Sequence, residues 1–574
     1  MPPDHADTDV EAGESYVRLS SSLTPPPPPL RMTSMQSIAT DGFGKYRMPL
    51  PSKNVYFLYI QYAAVGVLHA LLPFLAYPLF TIYLQLEGYQ IASYQQLVAL
   101  GWSFRVFFAM LTDCCPLLGY RRKSWLFLGW AICLTCFGFL SASSFGDPFC
   151  DRSNKYDCLV PYASLNDTSE LGSFNLHAPR QGTRFIVLSM VASIGYVLVA
   201  SVSDSMVVEW TGQEPAEIRG HLQTIVFAIR SVSSAAATLL GGLVLNGSRY
   251  GGSFAISMKP NLAYAVCLVV CLIAGHTTIY MIHEKKLPAV PFPAWRATLW
   301  TLLQQPLVWR VCLYRLLSSF FLHFHATPTS PMAMIYAHVE PMNLAWTSVL
   351  GDVLFGAALV GVGRVGLAWN WRACIACATL ATVALDALVV LCTTWAYVRS
   401  QWFTTLVGAL ARVPDAVTYV MTTQCLVAAF DDDEQASLSY ALAMTMSSVG
   451  QSFATAVYKY VDAFYDVSVQ DLLGDSHYTR IQVTNTYAAA YGCQVVGALV
   501  CVVALFPANK AEVDKARANA TDRPSTTRAL VVLLTASVAF VLATASHLAA
   551  IYPETACRRF GGGNGILAPT GGCP

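Results

Sequence analysis

The residues of this chain that could do chemistry are charges set inside apolar runs. Phe104 to Trp125 reads FRVFFAMLTDCCPLLGYRRKSW, with Arg105 near its start and Asp113 near its end before Pro116 breaks it into Gly-Tyr-Arg-Arg-Lys. A second run ends in SVSDSMVVEW, where positions 201, 204, 205 and 208 share one helical face, so Asp204 sits among hydroxyls and Glu209 follows. A third carries Arg230, then Ser234, Thr238 and Gly241 at helical spacing, and a fourth carries Arg315 six residues after Trp309. A carboxylate among hydroxyls suits a polar ligand or a proton, and a guanidinium suits a carboxylate held bidentately. That is the chemistry of binding and ion exchange. No metal-ligand cluster, nucleophile elbow or phosphate loop is seen, so no enzyme and no cofactor are expected.

The elements that must position these charges follow from composition. Of 574 residues, 55% are hydrophobic and only 12% charged, which is not a soluble composition. Hydrocarbon offers backbone amides no water, so apolar stretches of about 20 residues must be helices. Thirteen such stretches are expected, between about residues 58 and 551. The seventh is interrupted by His323, His325, Pro328 and Pro331. The net charge of +1 gives no footprint for nucleic acid, and the seventeen cysteines, mostly scattered singly in apolar runs, read as small hydrophobes.

The pattern predicts an all-α membrane protein. A disordered cytoplasmic tail spans 1–55, six-helix lobes span 56–283 and 309–508, a central cytoplasmic loop spans 284–308, and an extra helix with a C-terminal tail spans 509–574. Five prolines from Pro25 to Pro29 could engage a polyproline-binding partner. Placing Arg121, Arg122 and Lys123 on the inside obeys the positive-inside preference. It also puts Cys150 and Cys158, expected as a disulfide, and the sequons at Asn166 and Asn246, expected to be glycosylated, outside. Cys557 and Cys573 would face outward too, where they could pair. The sequons favour a secretory-route membrane, taken as the plasma membrane. Six spans on either side of a central loop is the layout of a transporter with its site between two lobes.

Charges within spans cost several kcal/mol unless paired or wet, so each is a candidate for function. Arg105, Asp204, Arg230 and Arg315 are assigned to the solute. Asp113, Arg121, Arg122 and Glu209 are assigned to proton coupling and gating, with Asp113 and its arginines as a cluster that clamps the ends of neighbouring helices. An Arg230 ion pair with Asp204 or Glu209, serving packing alone, is the alternative for that arginine. Asp352 and Asp386 are further intramembrane carboxylates, and Trp102 and Phe227 are available for stacking.

On these residues the chain resembles the folate-biopterin transporters of the major facilitator superfamily. AMLTDCCPLLGYRRKSW is similar to that family's Gly-x-x-x-Asp-x-x-Pro-x-x-Gly-x-Arg-Arg signature, and SVSDSMVVEW with RGHLQTIVFAIRSVSSAAATLLGG to its fourth- and fifth-span pattern. EQASLSYALAMTMSSVG adds a weaker likeness at the eleventh span. Ala109 stands where the signature has Gly, and Ala200 where many members carry another acid. The resemblance implies a two-lobed bundle of 12 helices that takes up folates or pterins with protons by alternating access, using Asp204, Glu209, Arg230 and Arg105. Transport of another polar organic metabolite, or a receptor or scaffold role without transport, are the other readings.

Overall fold

A computed structural model describes residues 53–150, 158–161, 174–211, 221–282, 284, 286, 288–366, 369–430, 436–504, 507–518 and 524–565. The tail ahead of residue 53, Asn166, Cys573 and the acidic run at 431–434 lie outside them. The amino-terminal lobe is built from α1 (Lys53–Phe74) with its π-helical continuation Ala76–Tyr83, α2 (Gly88–Val98), α3 (Arg105–Cys114), α4 (Lys123–Ala142), α5 (Ala178–Thr211), α6 (His221–Val244) and α7 (Asn261–Tyr280). The segment expected as a central loop contains a helix, α8 (Phe292–Gln304), ended where Gln305 precedes Pro306.

The carboxy-terminal lobe comprises α9 (Pro306–Leu322), α10 (Thr329–Ile335), α11 (Pro341–Val365), α12 (Trp371–Thr394), α13 (Gln401–Leu410), α14 (Arg412–Phe430), α15 (Ala436–Asp462), α16 (Val469–Gly474) and α17 (His477–Ala504). A short α18 (Lys510–Ala518) leads into α19 (Thr526–Ile551), which occupies the segment expected as a thirteenth span. Among the described residues eight helices are long and apolar enough to cross a membrane, or nine if α2 and α3 are one bent span. The remaining expected spans are helical too, and the seventh is broken between α9 and α10.

Lipid tails supply no hydrophobic drive between helices, so close packing and satisfied polar groups hold the lobes together. Gln61 on α1 shows the second device. Its amide donates to Ala274 O and Thr277 Oγ1 at 3.1 Å and accepts from Trp130 Nε1 at 2.6 Å, tying α1, α4 and α7. Glycine supplies the first. A Cβ on Gly66 would lie 2.5 Å from Arg230 O, and one on Gly101 would lie 2.9 Å from Ser193 O. Gly66 lets α1 meet α6 at the level of Arg230. Gly101 sits in the 3-10 turn Leu100–Phe104 that bends the second span by 42° and swings Trp102 and Arg105 inward.

We call the end with the Cys150–Cys158 disulfide outer and the end with Arg121 to Lys123 inner. At the outer end the lobes are joined by hydrogen bonds. Tyr77 Oη donates to Val339 O at 2.6 Å, and Val469 N–H donates to Glu87 Oε2 at 2.9 Å. Asn246 Nδ2 donates to Glu340 Oε2 at 3.2 Å, while its Oδ1 accepts from Met342 N–H at 3.0 Å. Asn246 is the residue expected as a glycan acceptor. Its side chain is 1% exposed and its amide is spent across the lobe junction.

Candidate functional site

The inner cluster forms because the chain reverses tightly after α3, with Leu118 and Gly119 both at positive φ, and so returns Arg121 and Arg122 over Asp113. Arg121 Nη2 lies 2.7 Å from Asp113 Oδ1. Arg122 Nη2 reaches Asp113 at 3.3 Å and Glu209 Oε1, at the end of α5, at 2.7 Å, while its Nη1 donates to Thr112 Oγ1. Glu284 was not singled out in the sequence. Its carboxylate accepts the backbone N–H groups of Arg121, Arg122 and Lys123 at 2.8 to 3.1 Å and so caps α4, a favourable place for an anion. The only sequence signal for it is an acid just after the sixth span. Every side chain of this knot named here belongs to the amino-terminal lobe or the segment leaving it, so it ties the ends of α3, α4, α5 and α7 and does not bridge the lobes.

The second group lies within the bundle. Tyr62 on α1 donates to Asp204 Oδ1 at 2.5 Å. The Trp102 ring carries two cations, with the guanidinium carbon of Arg105 4.3 Å and that of Arg230 5.2 Å from its centroid. His69 and Tyr196 set their rings edge-on to the same indole and fix its plane, and Phe227 packs edge-on against Tyr62. Arg105 lies near Asp204, Arg230 and Tyr440. Tyr440, on α15, also lies near Arg315, so the cluster reaches the carboxy-terminal lobe. Arg315 Nη2 has a contact at 3.7 Å to Met444 Sδ, and the Nε groups of Arg105 and Arg315 are buried without partners.

Among the described residues no carboxylate oxygen lies within 4.0 Å of Arg105, Arg230 or Arg315. The alternative of an Arg230 pair with Asp204 or Glu209 is not what the structure holds, since Asp204 is bonded to Tyr62 and Glu209 to Arg122. Elsewhere Asp352 and Asp415 pair with Arg412, and Asp386 accepts from Tyr491 at 2.7 Å. Tyr62 and Tyr440 escaped the sequence reading, because a tyrosine in an apolar run carries no cost that marks it.

The chain resembles solved membrane transporters in fold. It superposes on a D-xylose-proton symporter with a TM-score of 0.52 at 12% identity, covering 79% of this chain and 98% of that one. It superposes on the inward-open xylose transporter XylE from E. coli with a TM-score of 0.50 at 12% identity, covering 81% and 98%. Likeness at that identity establishes the fold, a major-facilitator bundle. Residues 65–146 match the model of the BT1 family. The BT1 segment runs from the first span through Trp102, Arg105 and the Asp113, Arg121 and Arg122 cluster into the loop after α4. The resemblance noted in AMLTDCCPLLGYRRKSW falls inside it, while Asp204, Arg230 and Arg315 lie beyond. No curated protein sequence matches the chain.

Proposed function

We propose that the chain is a secondary transporter that moves an anionic folate- or pterin-like solute by alternating access, coupled to protons. The observation that carries this reading is a pair of guanidinium groups around one indole, neither with a carboxylate oxygen within 4.0 Å among the described residues, near Asp204 and inside a membrane bundle. An unpaired intramembrane cation costs several kcal/mol, and a ligand anion relieves that cost. A folate's glutamyl carboxylates suit Arg105, Arg230 and Arg315, its pterin ring can stack on Trp102 or Phe227, and its ring N–H groups suit Asp204. The joined outer ends correspond to the inward-facing state of such a cycle. The BT1 match supports the solute class.

The test is uptake of labelled folate and of a labelled pterin into vesicles containing the purified protein, with and without an inward proton gradient. Gradient-stimulated uptake is expected, stronger for the anionic folate. Absence of uptake of either by folded protein refutes the solute assignment, and uptake indifferent to the gradient refutes the coupling.

A further inference from the structure

Lys459, near the outer end of α15, is completely enclosed, at 0% exposure. Its Nζ donates to Ser93 Oγ on α2 at 2.8 Å and to Ser546 O on α19 at 3.2 Å. Two acceptors match the two N–H bonds of a neutral amine, whereas an ammonium has three. Among the described residues no carboxylate oxygen lies within 4.0 Å of it.

The neighbouring charges point elsewhere. Asp462, one turn on, accepts from Thr327 N–H and Oγ1 at 2.8 and 2.6 Å, and Glu87, ahead of α2, accepts from Val469 N–H. Arg559 stacks on Phe464, His323 bonds Ser319 O, and His325 bonds Gln494. The titratable groups at the amine are Tyr89 of α2, by Gly562, and His547 of α19, which is 1% exposed with Nε2 on Ser452 O and Nδ1 unpartnered. Neither supplies a negative charge near neutral pH.

Three bodies meet at this amine: the amino-terminal lobe, the carboxy-terminal lobe and the thirteenth helix. Besides the lysine, α19 is fastened to the first lobe by Gln90 Nε2 on Ala550 O and Thr183 Oγ1 on Ile551 O, and to the second by His547. When the outer ends part, Ser93 leaves Lys459 and water reaches it. Next to the junction a cavity of about 80 Å³ lined by Gln96, Ser103, Ser448, Gln451 and Ser452 reaches Trp102.

We propose that Lys459 is a proton-binding site at the outer seam: the seam closes on the neutral amine and opens on the ammonium. The proposal rests on the alternating-access reading but not on the identity of the solute. A state that admits the cation is favoured over one that excludes it by tenfold per pH unit below the ordinary lysine value of about 10.4. Acid therefore opens the seam. Glu87 acts with the opposite sign in a separate window. Burial raises its carboxyl to about 7, so acid favours the closed seam only below that value.

The experiment places spin labels at Lys259→Cys and Gly474→Cys, with the non-buried free cysteines replaced by serine, and reads the distance distribution in lipid nanodiscs at pH 7.5 and 9.5. In this window Glu87 is largely ionised in both states. Wild-type Lys459 should shift the open-to-closed ratio by up to about a hundredfold toward open at the lower pH. Lys459→Gln should stay closed and Lys459→Arg open, both indifferent to pH. Ser93→Asp, which gives the ammonium a counterion, should stay closed at both values. A wild-type pH response in Lys459→Gln or Ser93→Asp overturns the proposal, as does the lack of a response in the wild type. Folate and pterin uptake is measured on the same preparation. A pH-dependent seam without uptake refutes the solute assignment and leaves Lys459 standing, and uptake with a pH-indifferent seam does the reverse.

Discussion

The two cations on Trp102 allow a test that separates a binding site from a packing device. Since their guanidinium carbons lie 4.3 and 5.2 Å from one ring centroid, they are no more than about 10 Å apart. At an effective dielectric of 20 that limit corresponds to a repulsion of at least about 1.7 kcal/mol. Replacing Arg230 by Gln removes the repulsion without stranding any carboxylate, so the empty protein should unfold at the same temperature as wild type or higher. An anionic ligand responds oppositely. A hydrogen bond to a charged group contributes about 1.5–3 kcal/mol, so affinity for folate should fall by roughly 10- to 150-fold. A pterin without the glutamyl tail should lose far less. Equilibrium binding of the two labelled ligands, with thermal unfolding of the empty protein, makes the comparison. Lower stability with unchanged folate affinity would mean that Arg230 serves packing. Equal losses for the two ligands would remove the guanidinium from the tail's subsite.

Three other perturbations follow from the geometry. Arg122→Gln removes the cation that Asp113 and Glu209 share and leaves Asp113 only its pair with Arg121; with both carboxylates partly exposed, the expected cost is about 0.5–1 kcal/mol, read as a lowered unfolding temperature, and an unchanged temperature would show that the knot is dispensable. Glu87→Gln should abolish the acid-favoured closure that develops as pH falls from about 7 toward the ordinary carboxyl value of 4.5, measured as the outer label distance, and persistence of that closure would assign it to another group. Asn246→Gln should leave glycosidase-sensitive gel mobility untouched because the amide is enclosed, whereas a mobility shift would show that Asn246 carries a glycan and that its amide is free of the outer junction.

What could be read from the sequence, and what could not, divides along one physical line. The spans were legible because hydrophobicity accumulates over about 20 residues, and the Asp113, Arg121 and Arg122 cluster because its members are close in sequence. Arg105, Arg230 and Asp204 stood out by cost, since a charge in the middle of an apolar run needs a reason. Cost alone did not reveal that two of them share an indole, because that depends on the bend at Gly101 and the approach at Gly66. Lys459 shows the limit. A lysine three residues from the end of a span ordinarily extends to the interface, so its position carried no alarm. What closes that route is α19, whose Ser546, more than eighty residues later in the chain, accepts from the lysine with its carbonyl. A helix lying beyond the two lobes thus turns an ordinary interfacial lysine into an enclosed one.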